Sequence, residues 1–196
     1  MTETEWDDKL GIQTCGREDY QEDKVHYPYE PTPYSVLERL AGSGYISQTD
    51  CLLDYGCGKG RVPVFFSKML GCSCLGIEFD RILFNISCEN EKKSGSEEVS
   101  IYYSDAETYP VPTEVTRCFF FNPFGEQILR CALNRIVDSY YADPREILLF
   151  FYYPEDSQVA LLMTIDELMF VDELSCADLF PGRNERERIL IFEVTG

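Results

Sequence analysis

Ten residues, Leu52-Leu53-Asp54-Tyr55-Gly56-Cys57-Gly58-Lys59-Gly60-Arg61, constrain this chain more than any other stretch. A short apolar run ends in a carboxylate, glycines then alternate with other residues, and a helical pattern begins at Arg61. Glycines let the chain bend tightly at the carboxyl end of a strand and let the backbone approach a ligand closely. A strand–turn–helix of this kind belongs to an open α/β sheet, whose ligands lie across the carboxyl ends of its strands.

The rest of the chain repeats the alternation. Arg61–Leu70 reads as a helix, Cys72–Glu78 as a strand, Arg81–Lys92 as a helix and Val99–Tyr103 as a strand. Thr116–Phe121 is a strongly apolar strand, Glu126–Tyr141 a helix, and Ile147–Tyr153 another buried strand. Glu167–Leu174 and Arg188–Val194 read as two closing strands joined by a long polar turn, with no clear helix between them. The pattern predicts a doubly wound, mostly parallel seven-stranded sheet with an antiparallel terminal hairpin. Upstream, Thr32-Pro33 opens a helix whose apolar stripe is Val36, Leu37 and Leu40. Residues 1–24 are polar and acidic and read as an N-terminal arm, mobile or loosely docked, ahead of a single Rossmann-like domain over 25–196.

Composition narrows the partners. With 35 acidic and 17 basic residues the formal charge is -18, a field that repels phosphate backbones and steers cations inward. Nucleic acid is therefore not the expected partner, and a basic protein or small amine is the better match. The longest apolar runs are too short to span a bilayer, and Met1 is followed by Thr2-Glu3-Thr4-Glu5 in place of a signal peptide. A soluble, cytoplasmic protein is expected, its nine cysteines reduced. Cys72 and Cys74 lack a second pair to complete a zinc site, and His26 is the only histidine, so no metal is expected.

Two cofactor classes use a glycine turn of this geometry, and spacing separates them. A dinucleotide fold wants Gly-x-Gly-x-x-Gly, whereas here the third glycine falls one residue early, at Gly60. Asp54 ahead of the turn would repel a pyrophosphate but suit the α-amino group of S-adenosylmethionine. A dinucleotide-dependent oxidoreductase is accordingly the weaker reading. Glu78 ends the next strand about 20 residues beyond the turn, the separation expected of an acid that takes ribose hydroxyls.

With these residues in place the chain resembles the class I S-adenosylmethionine-dependent methyltransferases. Asp54, Gly56, Gly58 and Gly60 match their first motif, Glu78 in Leu75-Gly76-Ile77-Glu78-Phe79-Asp80 the second, and Ser104-Asp105-Ala106 the third. The resemblance implies a cofactor site of Asp54, Gly56, Cys57, Gly58, Gly60, Glu78, Phe79, Asp105 and Ala106, with Asp105 binding the adenine amino group. Phe121-Asn122-Pro123-Phe124 looks like a shortened Asn-Pro-Pro-Tyr/Phe motif of amino-group methyltransferases. By that resemblance Asn122 and the Pro123 carbonyl orient a target nitrogen and Phe124 packs on it, although a turn closing a buried strand uses the same residues. Tyr29-Glu30-Pro31-Thr32-Pro33-Tyr34 is also similar to a segment preceding the first motif in some Rossmann-type protein lysine methyltransferases. There it folds over the cofactor, which would let Tyr27, Tyr29 and Tyr34 wall the substrate pocket; simple packing against the sheet edge is an equal reading of the same residues. The implied activity is methyl transfer to a nitrogen of a protein side chain or small amine. The alternative is a catalytically silent partner or sensor that binds S-adenosylmethionine.

Overall fold

A computed structural model of the chain describes residues 1–16, 29–121 and 124–196. The run ahead of the glycines forms strand β1 (Cys51–Tyr55), buried along its whole length. It pairs in parallel with β2 (Ser73–Glu78) on one side and β4 (Arg117–Phe121) on the other. Beyond these lie β3 (Val99–Tyr103) next to β2 and β5 (Leu148–Tyr152) next to β4, both parallel. The closing strands β6 (Leu168–Ser175) and β7 (Arg188–Val194) pair antiparallel, with β7 against β5, so the order is β3-β2-β1-β4-β5-β7-β6. This is the mostly parallel sheet with a terminal antiparallel hairpin that the alternating pattern predicts.

The central strands read as unbroken apolar runs because both faces of the sheet are covered. Leu52, Phe119 and Phe150 enter one core, and their neighbours Leu53, Phe120 and Phe151 enter the other. On the first face pack α1 (Glu3–Leu10), α2 (Tyr34–Ala41) and α3 (Arg61–Leu70). On the second pack α5 (Glu126–Ala142) and the short α6 (Asp156–Leu162). There Tyr55 stacks on Phe120 at 4.6 Å and Phe120 on Phe151 at 4.7 Å, one ring per strand across β1, β4 and β5. Helix α4 (Arg81–Ser94) follows β2, and Asp80 caps it by accepting the Ile82 and Leu83 N–H groups at 2.7 and 3.0 Å. Strand order reverses between β1 and β4, which opens a crevice above their carboxyl ends.

The N-terminus departs from the expected arm. Among the described residues of that segment, Glu3–Leu10 form α1, opened by a reciprocal cap in which Thr2 and Glu5 each accept the other's backbone N–H. Trp6 is only 2% exposed; it stacks on Tyr34 at 5.4 Å and meets the edge of Phe65 at 5.3 Å. Residues 17–24 of the expected arm, and His26 and Tyr27, lie outside the described residues. Helix α2 starts at Tyr34 with Pro33 at its cap, and the Thr32 side chain makes no cap bond. Helix α6 occupies a stretch that carries no helical expectation. All nine cysteines carry free thiols. Among the described residues no helix is long and apolar enough to cross a membrane, and no cluster of three His, Cys, Asp or Glu is arranged to hold a metal.

If α1 is part of the core, Trp6→Ala destabilises the protein by about 3–5 kcal/mol, read from the midpoint of urea unfolding. A loss below about 0.5 kcal/mol, the scale of ordinary surface substitutions, would return residues 3–10 to the status of an arm.

Candidate functional site

The turn after β1 hangs from the end of β2. Gly56 and Cys57 both donate their N–H groups to the Ile77 carbonyl at 3.0 Å, and Gly60 N–H closes onto the Cys57 carbonyl at 2.8 Å. Gly58 has φ +55° and Gly60 φ +83°, values that side-chain-bearing residues adopt at a cost. A Cβ on Gly58 would overlap the ring of Tyr29, and one on Gly60 would press on Ser87 of α4 at 3.3 Å. The alternation of glycines therefore meets two demands at once, a left-handed backbone and close packing on both sides.

Glu78 braces the turn from below. Its Oε2 accepts the Gly58 N–H and its Oε1 the Asp80 N–H, each at 2.8 Å. Burial raises the Glu78 acid, while these backbone hydrogen bonds oppose the rise. Asp54 has no such support. Side chains alternate along β1, which puts Asp54 on the side of Leu52, beneath the turn. It is 3% exposed, and no donor or cation among the described residues meets its carboxyl group. Burial, with the Glu78 carboxylate nearby, lifts its acid well above the usual carboxylate range.

The other candidate residues fall into two groups. Cys57 is buried, its thiol held neutral by that burial. It rests on the bare Cα of Gly76, where a Cβ would sit 2.8 Å from its sulfur. Asp105 is half-buried just past β3; its Oδ1 accepts the Glu107 N–H at 2.9 Å, and its neighbour Ala106 is buried in the sheet core. Phe79 is 46% exposed beside Glu78. Asp54, Cys57, Glu78, Phe79 and Asp105 are thus gathered at the carboxyl ends of β1, β2 and β3, around the glycine turn.

The acceptor-side residues are less uniform. Asn122 and Pro123 lie outside the described residues. Phe124 is buried and packs edge-on against Phe120 at 6.4 Å, so its ring belongs to the core under α5. Tyr29 does reach the site: its ring covers Gly58, Lys59 Nζ stands 4.9 Å from the ring centre, and its hydroxyl donates to the Thr14 carbonyl at 2.8 Å. Tyr34 does not. It is 1% exposed and donates to Asp7 at 2.7 Å within the N-terminal core, which corrects its expected place in the pocket wall. Gly76 was not among the sequence candidates, although a glycine inside Ser73–Glu78 signals a close approach.

Comparison with known proteins agrees with this architecture. No family model matches the chain. Over 71 residues it is 32% identical to a protein-lysine N-methyltransferase of Saccharolobus islandicus, covering 36% of this chain and 44% of that protein. The chain thus aligns with less than half the length of that relative. Human methyltransferase 10 domain containing protein is similar with a TM-score of 0.62 at 16% identity, covering 98% of this chain and 93% of that one. An RNA methyltransferase from Salinibacter ruber in complex with S-adenosyl-L-homocysteine gives a TM-score of 0.56 at 19% identity, over 85% and 94% of the two chains. A dimethyladenosine transferase from Plasmodium falciparum gives 0.59 at 12% identity, over 86% and 64%. The chain has the class I methyltransferase fold.

An acid whose folded pKa is raised costs stability once the unfolded chain would ionise it, so stability falls as pH climbs above about 4. Asp54→Asn removes that cost. It should raise the ligand-free melting midpoint at pH 7, by about 2–4 °C for each kcal/mol relieved, with the gain vanishing near pH 4. A midpoint that drops at pH 7 would mean that a partner within the fold stabilises the ionised carboxylate.

Proposed function

We propose that this chain binds S-adenosylmethionine at the glycine turn and transfers its methyl group to a nitrogen of a protein side chain or small amine. The observation that carries the cofactor assignment is Asp54, a buried carboxylate without a partner among the described residues, at the mouth of the turn. An ammonium group placed there would supply the missing countercharge; a pyrophosphate would double the repulsion. Glu78, at the end of the neighbouring strand about 20 residues beyond the turn, suits ribose hydroxyls. Asp105, with one oxygen engaged by Glu107, has the other for an exocyclic amine.

The bound sulfonium supplies an activated methyl carbon. With the donor bound, the acceptor nitrogen, without its proton, would give a lone pair to that carbon as the carbon–sulfur bond breaks and sulfur keeps the pair. The reaction is an in-line displacement, so the chain's task is alignment. Asn122 and the Pro123 carbonyl are the residues proposed to hold the acceptor nitrogen in line. Support for an amine comes from the relative whose name specifies protein lysine. The charge of -18 adds to it, since it favours a cationic partner over RNA.

S-adenosylhomocysteine at a hundredfold excess over its dissociation constant should stabilise the protein by about 2.7 kcal/mol, seen as a raised melting midpoint, while NADH leaves it unmoved. No response to either adenosyl compound, with silent titration calorimetry, would overturn the cofactor assignment. Asn122→Ala should slow turnover of an accepted amine about tenfold to a hundredfold, equivalent to about 1.4–2.7 kcal/mol, with cofactor affinity unchanged. Turnover equal to the parent's would remove Asn122 from the acceptor site. Cofactor binding with no turnover across protein and small-amine substrates would favour the silent partner.

A further inference from the structure

The N-terminal segment does more than fill the core. Thr14 is fully buried, and all its polar groups are engaged. Its N–H and its hydroxyl both donate to Asp7 at 2.6 Å, its hydroxyl oxygen accepts Arg61 Nε at 2.7 Å, and its carbonyl accepts the Tyr29 hydroxyl at 2.8 Å. Arg61 is the first residue of α3, directly after Gly60. It also bonds to Glu3, donates to the Thr32 carbonyl at 3.0 Å and lies 4.1 Å over the Tyr34 ring. Asp7 accepts two further bonds, from Cys15 N–H and the Tyr34 hydroxyl.

A second tie comes from the other side. Asn90 of α4, buried, accepts the Gln13 N–H at 3.0 Å and donates through Nδ2 to the Gln13 carbonyl at 3.2 Å. The same Nδ2 donates to the Lys59 carbonyl, inside the glycine turn, at 2.8 Å. Residues 13–15 are therefore held between α3 and α4, and they hold three points of the turn region. Arg61 is gripped at its exit, Lys59 shares Asn90 with Gln13, and Tyr29, anchored on Thr14, covers Gly58.

We propose that Thr14, with Asp7, Arg61 and Asn90, is a positioning device for the glycine turn, setting cofactor affinity through the turn's preorganisation. The inference rests on the cofactor assignment above for its affinity arm only. A flexible turn loses freedom on binding, whereas a turn already fixed in its bound form does not. The left-handed glycines make the free turn unusually adaptable, so something outside it must supply the constraint. The bonds converging on Thr14, and the Asn90 bond into the turn, supply that constraint.

Thr14→Val keeps the side-chain shape and deletes the hydroxyl that joins Asp7 to Arg61; Thr14→Ser restores it. Two readouts separate positioning from packing. The first is calorimetric affinity for S-adenosylhomocysteine well below the melting midpoint. The second is hydrogen exchange of amides 56–61 in the ligand-free protein. We expect the valine variant to bind about tenfold more weakly and to exchange those amides faster, with serine restoring both. A lowered melting midpoint with unchanged affinity and exchange would reduce the device to ordinary packing. Should the parent protein itself fail to bind, the cofactor assignment falls, and exchange alone decides the positioning role: equal rates in parent and valine variant refute it.

Discussion

Everything at the candidate site hangs on two backbone N–H groups and one carbonyl. Gly56 and Cys57 share the Ile77 oxygen, and this fork ties the exit of β1 to the end of β2. Because β1 and β2 are paired in register from Cys51↔Ser73 to Tyr55↔Ile77, the fork also fixes where Glu78 lies. Glu78 then reaches across to Gly58 and holds the turn open above Asp54. The two acids are thus near each other as a consequence of strand register, and Glu78 adds to the rise that burial imposes on the Asp54 acid.

That arrangement is unfavourable in the chain by itself. A buried carboxyl group with no donor costs stability unless it stays protonated. Asp54 occupies an inner strand of a sheet whose two faces are covered by largely apolar cores. Elsewhere the buried acids are satisfied: Asp7 by Thr14, Cys15 and Tyr34, Asp50 by Arg117, Ser47 and Thr116. The hydrogen bonds around Asp7 hold its acid below the ordinary range, opposite in direction to Asp54 although both are buried. On the proposed function, the contrast fits a partner for Asp54 that comes with the ligand.

How much of this is legible in the sequence depends on whether the signal is local. Leu52-Leu53, Phe119-Phe120 and Phe150-Phe151 announce strands covered on both faces, and the position of each followed directly. The glycine spacing located the turn, since left-handed backbone leaves a mark in residue type at each position. Helix α1 was missed because its face toward the core is only Trp6 and Leu10 amid acids, and its burial depends on Tyr34 and Phe65, distant in the chain. A local signal was present in Thr2 and Glu5, whose spacing is that of a capping box. Which of the two readings holds for Tyr34 likewise depends on a distant residue. A tyrosine near the motif suits a pocket wall until a buried aspartate seven residues from the N-terminus claims its hydroxyl.

The charge of the molecule sets a limit on how an amine could be methylated here. A field of -18 draws a cationic acceptor inward, yet it also favours the protonated amine, which has no lone pair to give. A carboxylate in direct contact would deepen that difficulty by stabilising the ammonium. Neutral acceptors behave differently: an amide or carbonyl oxygen can take hydrogen bonds from a neutral amine and leave its lone pair aimed at the methyl carbon. The residues that follow β4, Asn122 and Pro123, offer such neutral oxygens, in a chain where acids outnumber bases two to one. On the proposed chemistry, long-range attraction would be the task of the acidic surface, and the acceptor position itself would stay uncharged.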